Sequence, residues 1–329
     1  MEVIAIGSRL IGTGSFLPNT RLTNQMLEQM VDTTDEWIVQ HTGIEERRIA
    51  VNMSVFDLAL PAAQRALEDA GKSANDIDLI VACTITPDSY TPSLGCRLQN
   101  ALGAQQAFAF DVSAACSGFV YATDVADSYL RCKKAKCVLV VCAEVLSRIT
   151  DYTNRSVCCL FGDGAGAVVY EWDDTEKGIL STYMKTDGAN GDALFAPAFA
   201  AENPFENNRT QNGPHFLQMD GHTVFRFTAR AVPEAIDGVL QQAHHNLSQV
   251  DWIVPHQANA RILEMLIRRY DLPAEKIYHN LEYVGNTSSA SIPICLDEMK
   301  KQGLLQQGQT VLFVGFGGGL TYGAVLVRL

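Results

Sequence analysis

Ala66-Leu-Glu-Asp-Ala-Gly-Lys-Ser-Ala-Asn-Asp-Ile-Asp-Leu-Ile-Val81 and Val239-Leu-Gln-Gln-Ala-His-His-Asn-Leu-Ser-Gln-Val-Asp-Trp-Ile-Val254 are two versions of one pattern. Leu67 aligns with Leu240, Ala70 with Ala243, Asp78 with Asp251 and Val81 with Val254, each pair 173 residues apart in a chain of 329. In both stretches an amphipathic helix ends at a turn, and a short apolar strand then runs into a loop. The same offset carries Cys116 onto Ser289. Each lies in a small-residue segment that opens a helix after a strand-like stretch, Phe108–Val112 in one case and Ile277–Val284 in the other. The closing strands also correspond, Gly164-Ala-Gly-Ala-Val-Val-Tyr170 with Thr321-Tyr-Gly-Ala-Val-Leu-Val327. Several elements recurring in one order point to duplication. The expectation is an α/β protein of two halves, residues 1–173 and 174–329, each a sheet covered by helices. Residues 187–220, rich in Asn, Gly and Pro and without steady periodicity, break the pattern. They read as a surface excursion beside a site or as a plain insertion.

Composition narrows the function. Hydrophobic residues make up 47% and charged residues 19%, enough apolar material for a sizeable core. The net charge of −12 argues against nucleic acid as a partner, so an anionic ligand has to be met by a local basic patch. No run of about 18 uncharged apolar residues is present, so no membrane span is expected. Met1-Glu-Val-Ile-Ala-Ile6 lacks the basic start and long apolar stretch of a secretory signal. Nine cysteines, an odd number with no Cys-x-x-Cys pair, suit neither a disulfide framework nor a structural zinc site. They fit small buried hydrophobes in a reducing cytoplasm.

Three residues at strand ends are candidates for chemistry. Asp111-Val-Ser-Ala-Ala-Cys116-Ser-Gly-Phe119 follows an apolar strand, and Phe119, Ala122, Val125, Ala126 and Tyr129 continue it as a helix. A thiol at a helix N-terminus is expected to have a lowered pKa, which favours a nucleophilic thiolate; a buried packing cysteine is the even-odds alternative. His256, in Val254-Pro-His-Gln-Ala-Asn-Ala-Arg261, stands where a strand gives way to a loop and a helix. Asn286, in Tyr283-Val-Gly-Asn-Thr-Ser-Ser-Ala-Ser291, is on its own grounds a turn residue. Gly315-Phe-Gly-Gly-Gly319 bares backbone N–H groups that can hold an oxyanion, or is simply a tight turn. Phe161-Gly-Asp-Gly-Ala-Gly-Ala167 loosely fits a dinucleotide fingerprint, but it continues into a strand where that fingerprint needs a helix.

Taken together with Asp35-Glu-Trp-Ile-Val39, Thr42-Gly-Ile44 and Phe316-Gly-Gly-Gly319, these segments resemble the β-ketoacyl-[acyl carrier protein] synthase III family, in order and over nearly the whole chain. The resemblance implies a thiolase-like fold, with two duplicated α/β halves in a five-layered α-β-α-β-α arrangement, usually as a homodimer. It implies a Cys116–His256–Asn286 triad, an oxyanion hole from the N–H groups of Cys116 and Gly318, and Phe316 packed near the thiol. The implied reaction is a decarboxylative Claisen condensation of an acyl-CoA with malonyl-[acyl carrier protein], initiating fatty acid synthesis without a metal or redox cofactor. A relative working in secondary metabolism is the alternative, and a silent binding module is a distant third. Trp37 and Arg155 correspond to residues that stack on the CoA adenine, and Thr33 lies in the same pocket. His41 stands where the family often has arginine. Tyr90 and Thr91 mark the starter pocket, contributed across the dimer. An acidic carrier protein requires a basic face, for which the resemblance offers Gln257, Ala258, Asn259, Ala260 and Arg261. Arg268 and Arg269 share the Arg261 helix, and Arg226 and Arg230 extend the patch.

Overall fold

The computed structural model describes residues 7–174, 177–197 and 216–329. In chain order its main elements are β1 (Ser8–Phe16), α1 (Asp35–Thr42), α2 (Val55–Ala70), β2 (Leu79–Cys83), α3 (Leu94–Leu102) and β3 (Phe108–Val112). There follow α4 (Gly118–Arg131), β4 (Cys137–Glu144), β5 (Gly164–Trp172), β6 (Gly178–Thr186) and α5 (Gly221–Gln242). The chain ends with β7 (Trp252–Pro255), α6 (Ala260–Tyr270), α7 (Ser291–Lys301), β8 (Thr310–Gly317) and β9 (Thr321–Arg328).

The first sheet has the order β1-β5-β4-β2-β3 and the second β7-β8-β9-β6. Pairing is parallel between β2 and β4 and between β7 and β8, and antiparallel between β4 and β5 and between β8 and β9. The two sheets therefore repeat one topology. The 173-residue offset carries the start of β2 onto β7, α4 onto α7 and β4 onto β8 without slippage. It also carries Gly71 (φ 63°) onto His244 (φ 54°), both left-handed residues closing a helix.

Packing explains the layers. β4 and β8 are buried at every position, as their unbroken apolar runs require of strands covered on both faces. α2 and α3 cover the outer face of the first sheet, and α5 and α6 the outer face of the second. α4 and α7 lie between the sheets in one continuous core, where Phe119 of α4 meets Phe313 of β8 at 5.7 Å between ring centroids. α7 buries nearly every residue through its first two turns, the signature of a helix without a solvent face. The result is the expected five-layered α-β-α-β-α arrangement.

One expected strand is not formed. Of Ile277–Val284, only Ile277 bridges to Ile253, and Leu281–Val284 is a single helical turn. The buried Gln257 amide takes the place of the ladder: its NH2 donates to the carbonyls of Pro255 (2.8 Å) and Tyr278 (3.3 Å), and its oxygen accepts from Asn280 N (3.4 Å). The second sheet thus has four strands where the first has five. Part of the 187–220 segment lies outside the described residues. In the rest, Asp187 N donates to Leu320 O (2.8 Å) and Leu194–Phe195 pairs with Gln218–Met219. These described parts of the excursion lie against the Gly317–Gly319 turn, beside the candidate site.

Candidate active site

Cys116 sits on a tight elbow between β3 and α4. Ala115 before it is left-handed (φ 45°), and 173 residues later Ser288 (φ 50°) makes the same elbow before α7. Each costs about 1–2 kcal/mol for a residue with a Cβ. The first elbow is held by Thr321 of β9, whose hydroxyl donates to Ala114 O (3.2 Å) and whose carbonyl accepts from Ser117 Oγ (2.8 Å). β8 ends against the thiol at Gly317. A Cβ there would lie 2.6 Å from Cys116 Cβ and 3.1 Å from Sγ, so only glycine lets the strand pass.

His256 leaves the end of β7 with its backbone N–H on Val314 O (2.8 Å) and its ring edge-on to Phe316 (5.2 Å between centroids). Its Nδ1 is 2.8 Å from Ser291 Oγ. Asn286 is fixed by its own backbone, which pairs with Leu160 and Gly162 at 2.9 Å. Its Oδ1 accepts from Ser288 N (2.9 Å), which leaves the NH2 group to donate elsewhere. The three candidates meet around Ser288: its N–H holds Asn286, its carbonyl faces His256, and its buried hydroxyl, with no nitrogen or oxygen partner, lies beside the Cys116 thiol. Cys116, His256 and Asn286 are 6%, 2% and 6% exposed, a nearly dry site that still has an opening.

Dryness decides the charge states. Burial pushes the Cys116 thiol up to about 12; the Ser288 hydroxyl pulls it down and the Glu144 carboxylate pushes it further up. Burial holds His256 down at about 3. The α4 N-terminus favours the thiolate by about 1 kcal/mol, too little to offset that burial. This corrects the expectation of a thiolate at rest: the resting pair is a neutral thiol and a neutral imidazole.

The other predicted residues fall into separate places. Trp37 is half-buried on α1, with the Arg155 guanidinium 4.9 Å from its ring and His41 stacked on it at 4.3 Å. His41 Nδ1 also contacts Trp37 O (2.7 Å), and Thr33 Oγ1 is buried nearby beside the Cys159 thiol. Tyr90 and Thr91 lie on an exposed loop, Tyr90 at 71%. Arg261, Arg268 and Arg269 line a groove of about 580 Å³ with Phe225 and Met265, and Arg226 lies on the adjoining helix α5. Glu264 also lines the groove and pairs with Arg268 (3.6 Å), while Arg230 is engaged by Asp187 (2.8 Å) and Glu234 (3.6 Å). Gln257 is buried and spent on backbone groups, so it positions the chain beside His256 and offers nothing to a docking partner. Asn259 caps α6 by accepting from Ile262 N, with Ala258 and Ala260 half-buried beside it. Sequence reasoning missed Ser288, Ser291 and Glu144. The run of hydroxyls after Asn286 signalled the first two, and following the repeat to Gly317 would have signalled the third.

Comparison with known proteins identifies the family. The family model described as 3-oxoacyl-[acyl-carrier-protein (ACP)] synthase III matches residues 110–188, and its C-terminal counterpart matches residues 240–329. The chain is 47% identical over 324 residues to the beta-ketoacyl-[acyl-carrier-protein] synthase III of Xanthomonas axonopodis pv. citri, covering 98% of each. It superposes on the 3-oxoacyl-[acyl-carrier-protein] synthase III of Aquifex aeolicus with a TM-score of 0.92 at 43% identity, covering 98% of this chain and 100% of that one. It also superposes on the priming beta-ketosynthase of the R1128 polyketide biosynthetic pathway, with a TM-score of 0.90 at 35% identity, covering 99% and 97%. With this likeness along almost its whole length and in its thiolase-like fold, the chain belongs to the β-ketoacyl-[acyl carrier protein] synthase III family of condensing acyltransferases.

Proposed function

We propose that the protein condenses an acyl-CoA with malonyl-[acyl carrier protein] through an acyl-Cys116 intermediate, giving 3-ketoacyl-[acyl carrier protein], CoA and CO2. The observation that carries this reading is the meeting of Cys116, His256 and Asn286 around Ser288. The Cys116 sulfur attacks the thioester carbonyl, and the thiol proton leaves with CoA. The N–H groups of Cys116 and Gly318 hold the oxyanion. Malonyl-[acyl carrier protein] then loses CO2, and its thioester oxygen, now an enolate, accepts hydrogen bonds from His256 Nε2 and the Asn286 NH2. The enolate carbon attacks the acyl group, and the sulfur leaves and regains a proton. Neither a metal nor a redox cofactor enters the scheme.

Ser291 supports the role of His256. Its hydroxyl proton can serve either Nδ1 (2.8 Å) or the Ser288 carbonyl (2.9 Å). Given to Nδ1, it leaves Nε2 carrying hydrogen, the tautomer that an enolate requires. Because His256 stays neutral down to about pH 3, it acts as a hydrogen-bond donor and not as an acid. Incubation with acetyl-CoA followed by peptide mass mapping is expected to find one acetyl group on Cys116; absence of an adduct with any acyl-CoA would defeat the reading. A second reading, condensation in secondary metabolism, is favoured by the likeness to the R1128 priming ketosynthase, and turnover of malonyl-[acyl carrier protein] against non-carrier acceptors separates the two.

Trp37, Arg155, Thr33 and His41 would take the CoA adenine and phosphates, their gathering on one patch supporting the assignment. The Arg261, Arg268 and Arg269 groove, with Arg226, would take the acidic carrier protein. Arg261→Ala is expected to raise KM for malonyl-[acyl carrier protein] by about three- to tenfold and leave KM for acyl-CoA unchanged; equal effects would remove the docking assignment. A homodimer is supported by β3, an edge strand with Phe108 42% exposed, which an unpaired chain leaves uncovered. Tyr90 and Thr91 would then reach the partner's starter pocket. Division into halves 1–173 and 174–329 is supported by one sheet drawn from residues 8–172 and the other from 178–328. A cytoplasmic location is supported by nine unpaired cysteines. Among the described residues no helix is long and apolar enough to cross a membrane.

A further inference from the structure

The repeat has a second elbow, at Ser288–Ser289, whose Ser289 side chain the proposed chemistry does not use. The 173-residue offset relates Cys116 to Ser289 and Glu144 to Gly317. At the first elbow the strand end is glycine, which leaves room for the thiol. At the second it is Glu144, whose side chain fills the equivalent space and accepts from Ser289 Oγ (2.9 Å). Glu144 is fully buried. It also accepts from Thr86 Oγ1 (2.8 Å), Thr84 Oγ1 (3.2 Å) and Ile85 N (3.1 Å). All of these donors are neutral, and among the described residues no Lys, Arg or His hydrogen-bonds to it. The titratable groups facing it are the thiols of Cys116 on the first elbow and Cys142 on its own strand, and Cys142 is in turn paired with Cys83 of β2.

We propose that Glu144 is a positioning residue of the condensing centre, which bolts the Ser288–Ser289 elbow of the second half to residues 84–86 of the first and holds there a carboxylate whose charge opposes negative charge on Cys116. The proposal rests on the reading of Cys116 as the nucleophile. Bonding geometry supports the bolt, since the Ser289 hydroxyl crosses the seam to donate to this carboxylate and also meets the Cys142 thiol on the same strand. Electrostatics supports the second part. Burial pushes Glu144 up to about 7, and the hydroxyl and amide donors keep it from going higher. Glu144 therefore gains its charge around neutral pH, while Cys116 is still a thiol and His256 has long been neutral. Each new negative charge opposes formation of the next, so ionisation of Cys116 becomes harder as pH rises through about 7.

The test is the rate of iodoacetamide alkylation of Cys116, followed by peptide mass mapping between about pH 5 and 9. For an isolated thiol well below its pKa, the logarithm of this rate rises linearly with pH. In the wild-type protein it is expected to flatten near neutrality and then resume. Glu144→Gln keeps the shape of the side chain, and the three hydroxyls can rotate to accept from its amide. Its profile is expected to be straight, with alkylation about three- to tenfold faster than wild type above pH 8. A straight wild-type profile, or superposed profiles, overturns the charge role, and the wild-type curve decides even if the variant does not fold. Ser289→Ala keeps the charge and removes the bolt; it is expected to lower kcat for condensation by about three- to tenfold while keeping the bend in the alkylation profile. An unchanged kcat overturns the positioning role. Alkylation reports the thiol whether or not acyl-CoA is the substrate, so failure here and failure of the acetyl-CoA experiment are distinguishable.

Discussion

Asn286→Ala is expected to slow decarboxylative condensation by about 100- to 1000-fold, the loss typical of one removed oxyanion donor. Acylation of Cys116 by acyl-CoA is expected to remain within a few-fold of wild type. The separation follows from the two ends of the side chain. Among the described residues the Asn286 NH2 has no partner, so it is available to an enolate, which forms only after acylation. Its oxygen, in contrast, holds the N–H of Ser288, and losing that acceptor leaves a buried donor unpaired at a cost of about 1–3 kcal/mol. The melting temperature should therefore fall as well, and the half-reactions are best compared below the onset of unfolding. Single-turnover acylation measured by mass, beside CO2 release from malonyl-[acyl carrier protein], checks the split. Equal loss in both would mean that Asn286 only shapes the pocket.

Gly317→Ala should act earlier in the cycle. The added methyl group would stand 2.6 Å from Cys116 Cβ, 2.9 Å from its backbone N and 3.1 Å from Sγ. The first two of these atoms belong to a constrained elbow that Thr321 clamps, so the thiol or the oxyanion donors must move. A displacement near 1 Å at reacting atoms costs about 100-fold, and overpacking a filled site costs about 1–3 kcal/mol of stability. Acylation itself is expected to fall by about 100-fold or more. Gly188→Ala is the control, because its nearest neighbour would be Gly319 O at 4.0 Å. Normal acylation in Gly317→Ala would show that the elbow has slack that its contacts do not reveal.

Much of this was legible in the chain because duplication leaves periodic traces. Leu67 with Leu240 and Val81 with Val254 gave the offset that aligns β2 with β7 and α4 with α7. The strand-end settings of Cys116 and His256 were likewise visible, since the apolar-to-small transitions there are local. What was not legible depends on packing between distant segments. Nothing in Ile277–Val284 says that the Gln257 side chain takes over its ladder partners. The N-terminal position of Cys116 on a helix suggested a lowered pKa, but its environment is set by strands from the other half, and burial outweighs the helix. Glu144, at the polar end of an apolar strand, looks like a residue emerging into water; residues 84–86 on one side and the elbow from residue 288 onward on the other bury it.

The helices that carry the reacting ends occupy the middle layer, with sheets on either side and their N-terminal turns buried. Regions that loosen first on heating are those with few buried contacts and exposed backbone hydrogen bonds, and this layer has neither. The N-terminal turns that present Cys116 and Ser288 are therefore expected to loosen only with the core itself, later than the rim.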